Sequence, residues 1–281
     1  MKRILITGGS GFLGSRLAEA LAGENTVWAP SRRELDFTSA ASVAAAFASF
    51  HPTHLVHCGA VSDVGMCEKQ PQQSCIVNVD GPALLARASA ENGARMIFCS
   101  SDQVYWDGHT CPGRPWREDD GCCPGTQYGR QKLEAERLCA QLCPDTVSLR
   151  LSWMYDAMAR PGQHGDLVQT LHQMAMSGES RGFACRDLRG VTWAEDVAAH
   201  FAAALELPAG VWNFGSPNTG EISALELART GLAALGADVN LAVPLDLPPR
   251  ELRMDPSRTA AAGICFGETA LRLEECLRRG R

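Results

Sequence analysis

The N-terminal segment constrains the fold of this chain more than any other part of its sequence. The apolar run Arg3–Ile6 is followed at once by a glycine-rich segment, Thr7–Gly14, and then by a helix-compatible stretch, Ser15–Ala22. A short apolar run is typical of a buried parallel strand, and the helix after it offers free N–H groups and the positive end of its dipole to a diphosphate. The segment predicts the opening of a dinucleotide-binding fold.

The three spaced glycines of this segment suit three different tasks. Gly8 allows a sharp turn, Gly11 allows the backbone to approach a pyrophosphate, and Gly14 allows the helix and the strand to pack closely, because none of them carries a Cβ. Their spacing is Gly-x-x-Gly-x-x-Gly rather than the commoner Gly-x-Gly-x-x-Gly. The cofactor-binding residues predicted in this segment are Thr7, Gly8, Ser10, Gly11, Phe12, Leu13 and Gly14.

Composition narrows the class of protein. With 281 residues and 45% hydrophobic content, the chain can bury one large core or two modest ones. A net charge of −6 without a basic run argues against nucleic-acid binding, and no stretch approaches the ~20 apolar residues of a membrane span. We therefore expect a cytoplasmic protein. Its 12 cysteines are predicted to be reduced, and neither they nor the histidines show metal-ligand spacing, so no metal site is predicted.

Apolar strand patterns alternate with helix patterns along the chain. This order predicts an α/β fold, a Rossmann-type doubly wound parallel sheet with a smaller C-terminal α/β substrate lobe. We assign residues 1–155 to the dinucleotide-binding domain and residues 156–281 mainly to the substrate lobe, partly interleaved with the sheet. A long loop is expected over Asp107–Gln127, and loops of that length in compact domains are usually functional. The predicted strands are Arg3–Thr7, Thr26–Ala29, His54–Cys58, Met96–Ser100, Val147–Ser152 and Gly210–Phe214, and the predicted helices include Val77–Asn92 and Gly129–Leu142.

Three residues form a candidate catalytic set. Tyr128 and Lys132 are four apart at the start of a helix pattern, so their side chains share one face. A neighbouring ammonium favours the phenolate, so we expect Lys132 to lower the pKa of Tyr128 and make it a better proton donor to a developing alkoxide. Ser101 follows the predicted strand Met96–Ser100, at the edge where open α/β sheets bind ligands, and would hydrogen-bond the substrate oxygen.

The chain resembles the extended short-chain dehydrogenase/reductase superfamily and, within it, is most similar to the dTDP-4-dehydrorhamnose reductase family. Further similarity to that family lies in Arg32–Thr38, in the loop that holds Trp116 and Glu118, and in Arg250–Gly263. The segments that match the superfamily in order and spacing are Thr7–Gly14, Asn78–Gly81, Ser100–Tyr105, Tyr128–Lys132, Leu149–Tyr155 and Gly210–Gly215.

This resemblance implies a role for each matched residue. Ser101, Tyr128 and Lys132 would be the catalytic triad, with Lys132 also holding the nicotinamide ribose. The implied activity is NADPH-dependent reduction of a keto sugar carried on a nucleoside diphosphate. The same resemblance places Asp36 and Phe37 by the adenine and Gly59, Ala60 and Val61 along the cofactor.

The pair Asp102-Gln103 bears on the reaction type. Similar sugar-nucleotide dehydratases place Asp-Glu after the catalytic hydroxyl residue, whereas Gln103 cannot accept a proton, so elimination of water is disfavoured. The similar reductases tend to have Tyr at the position of Gln103, and Asp156 stands where a glycine is common. The alternatives are a nucleotide-sugar epimerase of the same superfamily and a non-catalytic, cofactor-binding regulatory subunit.

Two arginines after the second predicted strand bear on the choice of cofactor. NAD-binding folds commonly place a carboxylate there for the ribose 2′-hydroxyl, whereas this chain has Ser31, Arg32 and Arg33. A guanidinium matches a phosphate dianion in charge and in its forked geometry. We therefore predict that NADP(H) is preferred, with Arg32 the stronger candidate, and that NAD(H) is the alternative.

Substrate-binding residues are predicted next to Ser101 and in the later part of the chain. Asp102 and Gln103 lie beside Ser101, and Trp153 could stack on a base or a sugar. The substrate diphosphate needs basic groups, for which Arg250 and Arg253 are preferred among four candidates that include Arg186 and Arg189. A homodimer is the oligomer considered.

Overall fold

The computed structural model describes residues 1–157 and 166–279. The strands of the described residues are β1 (Arg3–Thr7), β2 (Thr26–Trp28), β3 (His54–His57), β4 (Arg95–Ser101), β5 (Thr146–Leu151), β6 (Trp153–Tyr155), β7 (Arg181–Ala184), β8 (Asp187–Arg189), β9 (Val191–Trp193), β10 (Gly210–Phe214), β11 (Ala242–Leu245) and β12 (Arg250–Leu252). The helices are α1 (Phe12–Leu21), α2 (Ala40–Phe50), α3 (Val64–Lys69), α4 (Pro71–Cys75), α5 (Gly81–Glu91), α6 (Gln127–Leu142), α7 (Leu167–Ser177), α8 (Ala194–Ala204), α9 (Ala224–Ala234), α10 (Ser257–Ala261) and α11 (Thr269–Arg279).

A six-stranded sheet organises the described residues, with the strand order β2-β1-β3-β4-β5-β10. The pairs from β2 to β5 are all parallel. The strand order reverses between β1 and β3, and open α/β sheets bind ligands at such a switch point, beyond the carboxyl ends of the strands. The predicted α/β doubly wound sheet is confirmed.

Apolar side chains of three helices cover one face of this sheet. Val43 and Phe47 of α2, Leu85 of α5, and Ala135 and Cys139 of α6 form one buried cluster with the strand side chains. Burial of this apolar area supplies most of the favourable free energy of folding. It also fixes α6 against β4, and these are the two elements that carry the predicted catalytic residues.

The described chain divides into two compact units. Unit 1 comprises residues 1–107, 121–151 and 198–212, and unit 2 comprises residues 108–120, 152–197 and 213–281. In unit 2 the helices α7, α9 and α11 share a buried cluster. Its strands pair two by two in parallel as β6 with β9, β7 with β11, and β8 with β12. No helix among residues 1–157 and 166–279 is both long and apolar enough to cross a membrane.

The helix predicted over Val77–Asn92 is wrong at its start. A π-helical turn occupies Ile76–Asp80, and α5 begins only at Gly81, whose N–H donates to the carbonyl of Ile76. Pro82 follows and has no N–H to continue the ordinary i to i−4 bonding. Such single π turns inside helices frequently occur at functional sites.

The predicted long loop is present between Asp107 and the start of α6. Its central residue Trp116 forms an isolated parallel bridge with Met254, and the Trp116 indole N–H donates to the carbonyl of Glu251 at 2.8 Å. Within unit 2, the loop carboxylate of Glu118 accepts from the Asn213 N–H at 2.9 Å. These bonds tie residues 108–120 to the C-terminal part of the chain.

Candidate active site

The glycine-rich turn after β1 is closely packed. Gly8 has φ +73°, which favours glycine, and a Cβ there would lie 2.7 Å from the Gly59 nitrogen. The Gly11 N–H donates to the Gly8 carbonyl at 2.9 Å, and Gly11 is the N-cap residue of α1, where no side chain caps the helix. The N–H groups of the first helical turn have no partner within the helix, so they suit an anionic ligand. The turn therefore fits a dinucleotide diphosphate.

The turn after β3 lies against the turn after β1. Thr7 Oγ1 contacts His57 Nδ1 at 2.6 Å, and a Cβ on Gly59 would lie 2.6 Å from the Phe37 ring. Burial lowers the pKa of His57 to about 3, and the charge of Lys132 adds to this, so its ring is neutral near pH 7. The predicted residues Thr7, Phe37 and Gly59 are thus brought together at the switch point.

The other predicted cofactor residues differ in exposure. Leu13 and Gly14 are buried in α1, whereas Ser10 and Gly11 are exposed and Phe12 and Ala60 are half-buried. Ser31, Arg32 and Arg33 are exposed beyond β2. The carboxylate of Glu34 accepts from the Ser31 N–H at 2.8 Å. Asp36 accepts from the Thr38 hydroxyl at 2.7 Å, a bond that lowers the pKa of its carboxyl group.

The structure brings Ser101, Tyr128 and Lys132 together. Ser101 ends β4, and Thr126 caps the start of α6, which places Tyr128 in the first turn and Lys132 one turn later. The Ser101 hydroxyl donates to Asp102 Oδ1 at 3.1 Å and is near enough to the Tyr128 phenol to influence its pKa. Lys132 Nζ lies 5.9 Å from the centroid of the Tyr128 ring and donates to the Cys99 carbonyl at 2.8 Å. All three side chains are buried.

The expected lowering of the Tyr128 pKa is wrong for this structure. Burial raises the pKa of the phenol, the charge of Asp102 adds to the rise, and the neighbouring Ser101 hydroxyl opposes it. Burial also lowers the pKa of Lys132. Desolvation of the phenolate outweighs the ammonium, whose hydrogen-bond partner is the Cys99 carbonyl. The phenol is consequently protonated at neutral pH, which is the state that a proton donor requires.

Asp102 and Gln103 lie beside the catalytic set, as the sequence predicts. Both are buried in a short 3₁₀ turn that follows Ser101. Asp102 Oδ1 accepts from the Ser101 hydroxyl and from Gln103 Nε2, each at 3.1 Å. The amide of Gln103 therefore holds the carboxylate that raises the pKa of Tyr128.

Asn78 was not among the predicted site residues, although its segment supports the family resemblance. It lies in the π-helical turn, where its Oδ1 accepts from the Val61 N–H at 2.8 Å and its Nδ2 donates to the Val61 carbonyl at 3.0 Å. Nδ2 also donates to Gln131 Oε1 at 2.9 Å, which connects this turn to α6. The sequence signal was Pro82, whose missing N–H interrupts the helix.

The remaining predicted substrate residues belong to unit 2. Trp153 is 46% exposed, and Arg250 is half-buried in β12. Arg253 is only 3% exposed, and its guanidinium is paired with Glu251 at 2.7 Å and with Glu221 at 2.8 Å. Because its charge is balanced by two carboxylates, Arg253 is less available to a diphosphate than an unpaired cation would be, and its role in substrate binding stays a prediction.

Comparison with known proteins agrees with this geometry. The family described as "RmlD substrate binding domain" matches residues 1–259. A dTDP-4-dehydrorhamnose reductase of Streptomyces griseus is 34% identical over 280 residues, covering 93% of this chain and 88% of that protein. A dTDP-4-keto-6-deoxy-D-glucose reductase of Streptomyces niveus is 31% identical, covering 93% and 85%. The crystal structure of a Bacillus anthracis dTDP-4-dehydrorhamnose reductase in complex with NADP has a TM-score of 0.86 and 23% identity, covering 99% of this chain and 96% of that chain.

Proposed function

The chain belongs to the RmlD substrate binding domain family, and from this premise we propose that it is an NADPH-dependent reductase of a 4-keto sugar carried on dTDP. The observation that carries the proposal is the burial of Ser101, Tyr128 and Lys132 together, with the Lys132 ammonium 5.9 Å from the Tyr128 ring centroid, in the same unit as the glycine turn. Relatives that cover more than four-fifths of the chain are named as reductases of dTDP-linked sugars. The reaction converts a ketone to a secondary alcohol.

NADPH, when bound, would supply the hydride for the carbonyl carbon, and the residues of this chain would provide the proton and stabilise the developing charge. Tyr128 gives its phenolic proton to the carbonyl oxygen, and Ser101 donates a hydrogen bond to the same oxygen as negative charge develops. The ammonium of Lys132 stabilises the phenolate left on Tyr128 and holds the nicotinamide ribose. The protonated phenol at neutral pH supports this direction of proton transfer.

The cofactor residues proposed around the diphosphate, the adenine and the nicotinamide are those predicted from the sequence. A Cβ added to Gly8, Gly11 or Gly14 would lie against backbone atoms, so this turn leaves its main chain free of side chains. Such a turn suits a ligand that approaches the main chain closely. We propose that Arg32, with Arg33 and Ser31, binds the 2′-phosphate, since all three are exposed beyond β2. Trp153 and Arg250 are proposed to bind the substrate nucleotide.

The test is loss of NADPH absorbance with a panel of dTDP-linked 4-keto-6-deoxy sugars. We expect stoichiometric oxidation of NADPH and formation of the alcohol, and Tyr128→Phe should lower kcat by about 10²- to 10⁴-fold while NADPH still binds. Sugar inversion without net oxidation would indicate an epimerase. Full activity of Tyr128→Phe would overturn the proposed proton donor.

The choice of cofactor is tested separately. Arg32→Ala should raise the KM for NADPH and leave that for NADH nearly unchanged, because only NADPH carries the phosphate dianion. Arg33→Ala is the matched variant, with a smaller expected effect. Equal increases of KM for both cofactors in Arg32→Ala would contradict the assignment.

The homodimer stays a prediction. We further propose a cytoplasmic location, supported by the cysteines of the described residues, which are all free thiols.

A further inference from the structure

Helix α6 buries a third ionisable side chain that the proposed chemistry does not use. Tyr128, Lys132 and Glu136 follow each other at intervals of four residues, so they lie on one face of the helix. Glu136 is 4% exposed, although an isolated carboxylate is costly to bury. Its partners show why it is tolerated there.

Glu136 joins three elements of unit 1. Its Oε1 accepts from the Ser100 hydroxyl at 2.5 Å and from Arg150 Nε at 3.1 Å, and its Oε2 accepts from Arg150 Nη2 at 2.8 Å. Ser100 and Arg150 are directly opposite each other in the β4–β5 ladder. The carboxylate is therefore held by two neighbouring strands, through a bidentate pair and a short charge-assisted bond.

The guanidinium of Arg150 also reaches the segment that follows Ser101. Its Cζ lies 4.7 Å from the centroid of the Tyr105 ring, and the Tyr105 N–H donates to the Asp102 carbonyl at 3.0 Å. Arg150 is thus coupled through packing to the short turn that carries Asp102. That turn contributes the charge that raises the pKa of Tyr128.

We propose that Glu136 and Arg150 are positioning residues that set the register of α6 against β4, and so align Ser101 with Tyr128 and Lys132. This inference rests on the proposed function. Near the start of α6, Tyr128 lies beside Ser101 and Lys132 donates to the Cys99 carbonyl of β4. Glu136 adds an attachment to Ser100 from one turn beyond Lys132, about 12 Å along the helix from Tyr128 at 1.5 Å per residue, and so restricts pivoting of the helix about its first turns.

A role in stability alone is a poor explanation for this pair. Replacing both members of a buried ion pair by apolar residues of similar volume is often neutral or stabilising, whereas removing one member leaves a buried charge without a partner. The urea midpoint and kcat are consequently expected to rank the same variants differently if the pair positions the catalytic residues, and the experiment tests this difference.

The experiment compares Glu136→Gln with the double variant Glu136→Leu/Arg150→Met. Glu136→Gln keeps an acceptor oxygen for Ser100 but leaves Arg150 unbalanced, so its urea midpoint should be the lower of the two. Positioning predicts the opposite order for kcat: the double variant should lose at least about tenfold, since misplacing catalytic groups by about 1 Å can cost on the order of a hundredfold. Glu136→Gln should retain more activity per folded molecule.

A matched control removes an ion pair of unit 2. Arg272 pairs with Asp196, and Arg272→Met/Asp196→Leu should leave kcat within twofold of the wild type. Where Glu136→Gln fails to fold, Ser100→Ala takes its place, because it deletes only one hydrogen bond. It should lower kcat several-fold with little change in the urea midpoint.

Two results are decisive and distinguishable. Wild-type protein that binds NADPH but turns over no sugar would defeat the proposed function. The positioning role would then be tested by comparing the NADPH affinities of Glu136→Gln and the double variant, because that affinity depends on Lys132. If the wild type turns over sugar, either of two results would overturn the positioning role. One is a double variant with wild-type kcat, and the other is a double variant that exceeds Glu136→Gln in kcat as well as in urea midpoint.

Discussion

Gly14 lies where α1 packs closely against the turn after β1, and this packing gives a sharp prediction for Gly14→Ala. Gly14 is buried in α1, and a Cβ added there would lie 2.3 Å from the Gly8 carbonyl oxygen, 2.8 Å from the Gly8 carbonyl carbon and 3.0 Å from Gly9 Cα. Each of these atoms belongs to the backbone, so no flexible side chain can move aside. Gly8 cannot easily retreat either, because its own neighbour is the Gly59 backbone.

Two opposing contributions decide the size of the effect. An alanine inside a helix ordinarily stabilises it by about 1 kcal/mol relative to glycine. Overpacking in a closely packed region costs about 1–3 kcal/mol, and we expect the upper end because the obstacle is a packed turn. The net expected loss in the free energy of unfolding is therefore about 2 kcal/mol, or a melting temperature lower by about 4–8 °C.

Urea unfolding followed by circular dichroism measures this loss, and a fluorescence titration measures the affinity for NADPH. We expect both to fall, because the displaced turn carries the N–H groups proposed to hold the diphosphate. Gly23→Ala is the matched control: nothing lies within 4 Å of its added Cβ, so its stability should change by at most about 0.5 kcal/mol. Stabilisation by Gly14→Ala would refute the argument from close approach.

Three further predictions concern the same unit. Asp102→Asn should lower the pKa of the Tyr128 phenol by removing a nearby negative charge. The chain has three tyrosines, so ¹³Cζ-tyrosine NMR can follow the titration, with Tyr128→Phe as the assignment control. An unchanged titration would count against the coupling between Asp102 and Tyr128. Asn78→Ala should reduce the free energy of unfolding by about 1–3 kcal/mol by freeing the Val61 backbone groups, and should raise the KM for NADPH; a stable variant with wild-type KM would disprove this. Burial lowers the pKa of His57 to about 3, so between pH 6.5 and 3 the unfolded chain binds a proton at this residue and the folded chain does not. The free energy of unfolding should therefore fall by about 2 kcal/mol from pH 7 to pH 5 through this group. His57→Asn should flatten the pH dependence measured by urea unfolding.

Local sequence patterns were sufficient to predict the central sheet and the shared helix face of Tyr128 and Lys132. The apolar run of β1, the glycines after it and the spacing of Tyr128 and Lys132 are contained within short segments, so each could be interpreted without knowing the tertiary structure. Helix α6 was predicted from residue 129 and begins at Gln127, where Thr126 supplies the cap. Such small errors at helix ends do not change which face the side chains share.

Features that depend on pairing across the chain were not predictable in the same way. Strands β7 and β11 contain four residues each and pair across some sixty positions, so hydrophobic periodicity gives no signal for them. The contacts of Asn78 with Val61 and of Arg253 with its two glutamates need coordinates for both partners. The pKa of Tyr128 was misjudged for the same reason: spacing shows that Lys132 is near, but only the structure shows how fully the phenol is buried.

The inner face of α6 provides an argument for catalysis that is independent of any motif. A helix that served only to cover the sheet would gain most free energy from apolar residues at Tyr128, Lys132 and Glu136, since burying an ammonium and a carboxylate incurs desolvation penalties. Instead, all three side chains are at most 9% exposed, and the pKa values of Tyr128 and Lys132 are shifted by that burial. Functional sites characteristically keep polar groups that cost stability and have perturbed pKa values, and these groups lie beside the carboxyl ends of the strands. If the apolar substitutions Tyr128→Phe and Lys132→Met each raise the free energy of unfolding while abolishing turnover, this trade of stability for activity is demonstrated directly.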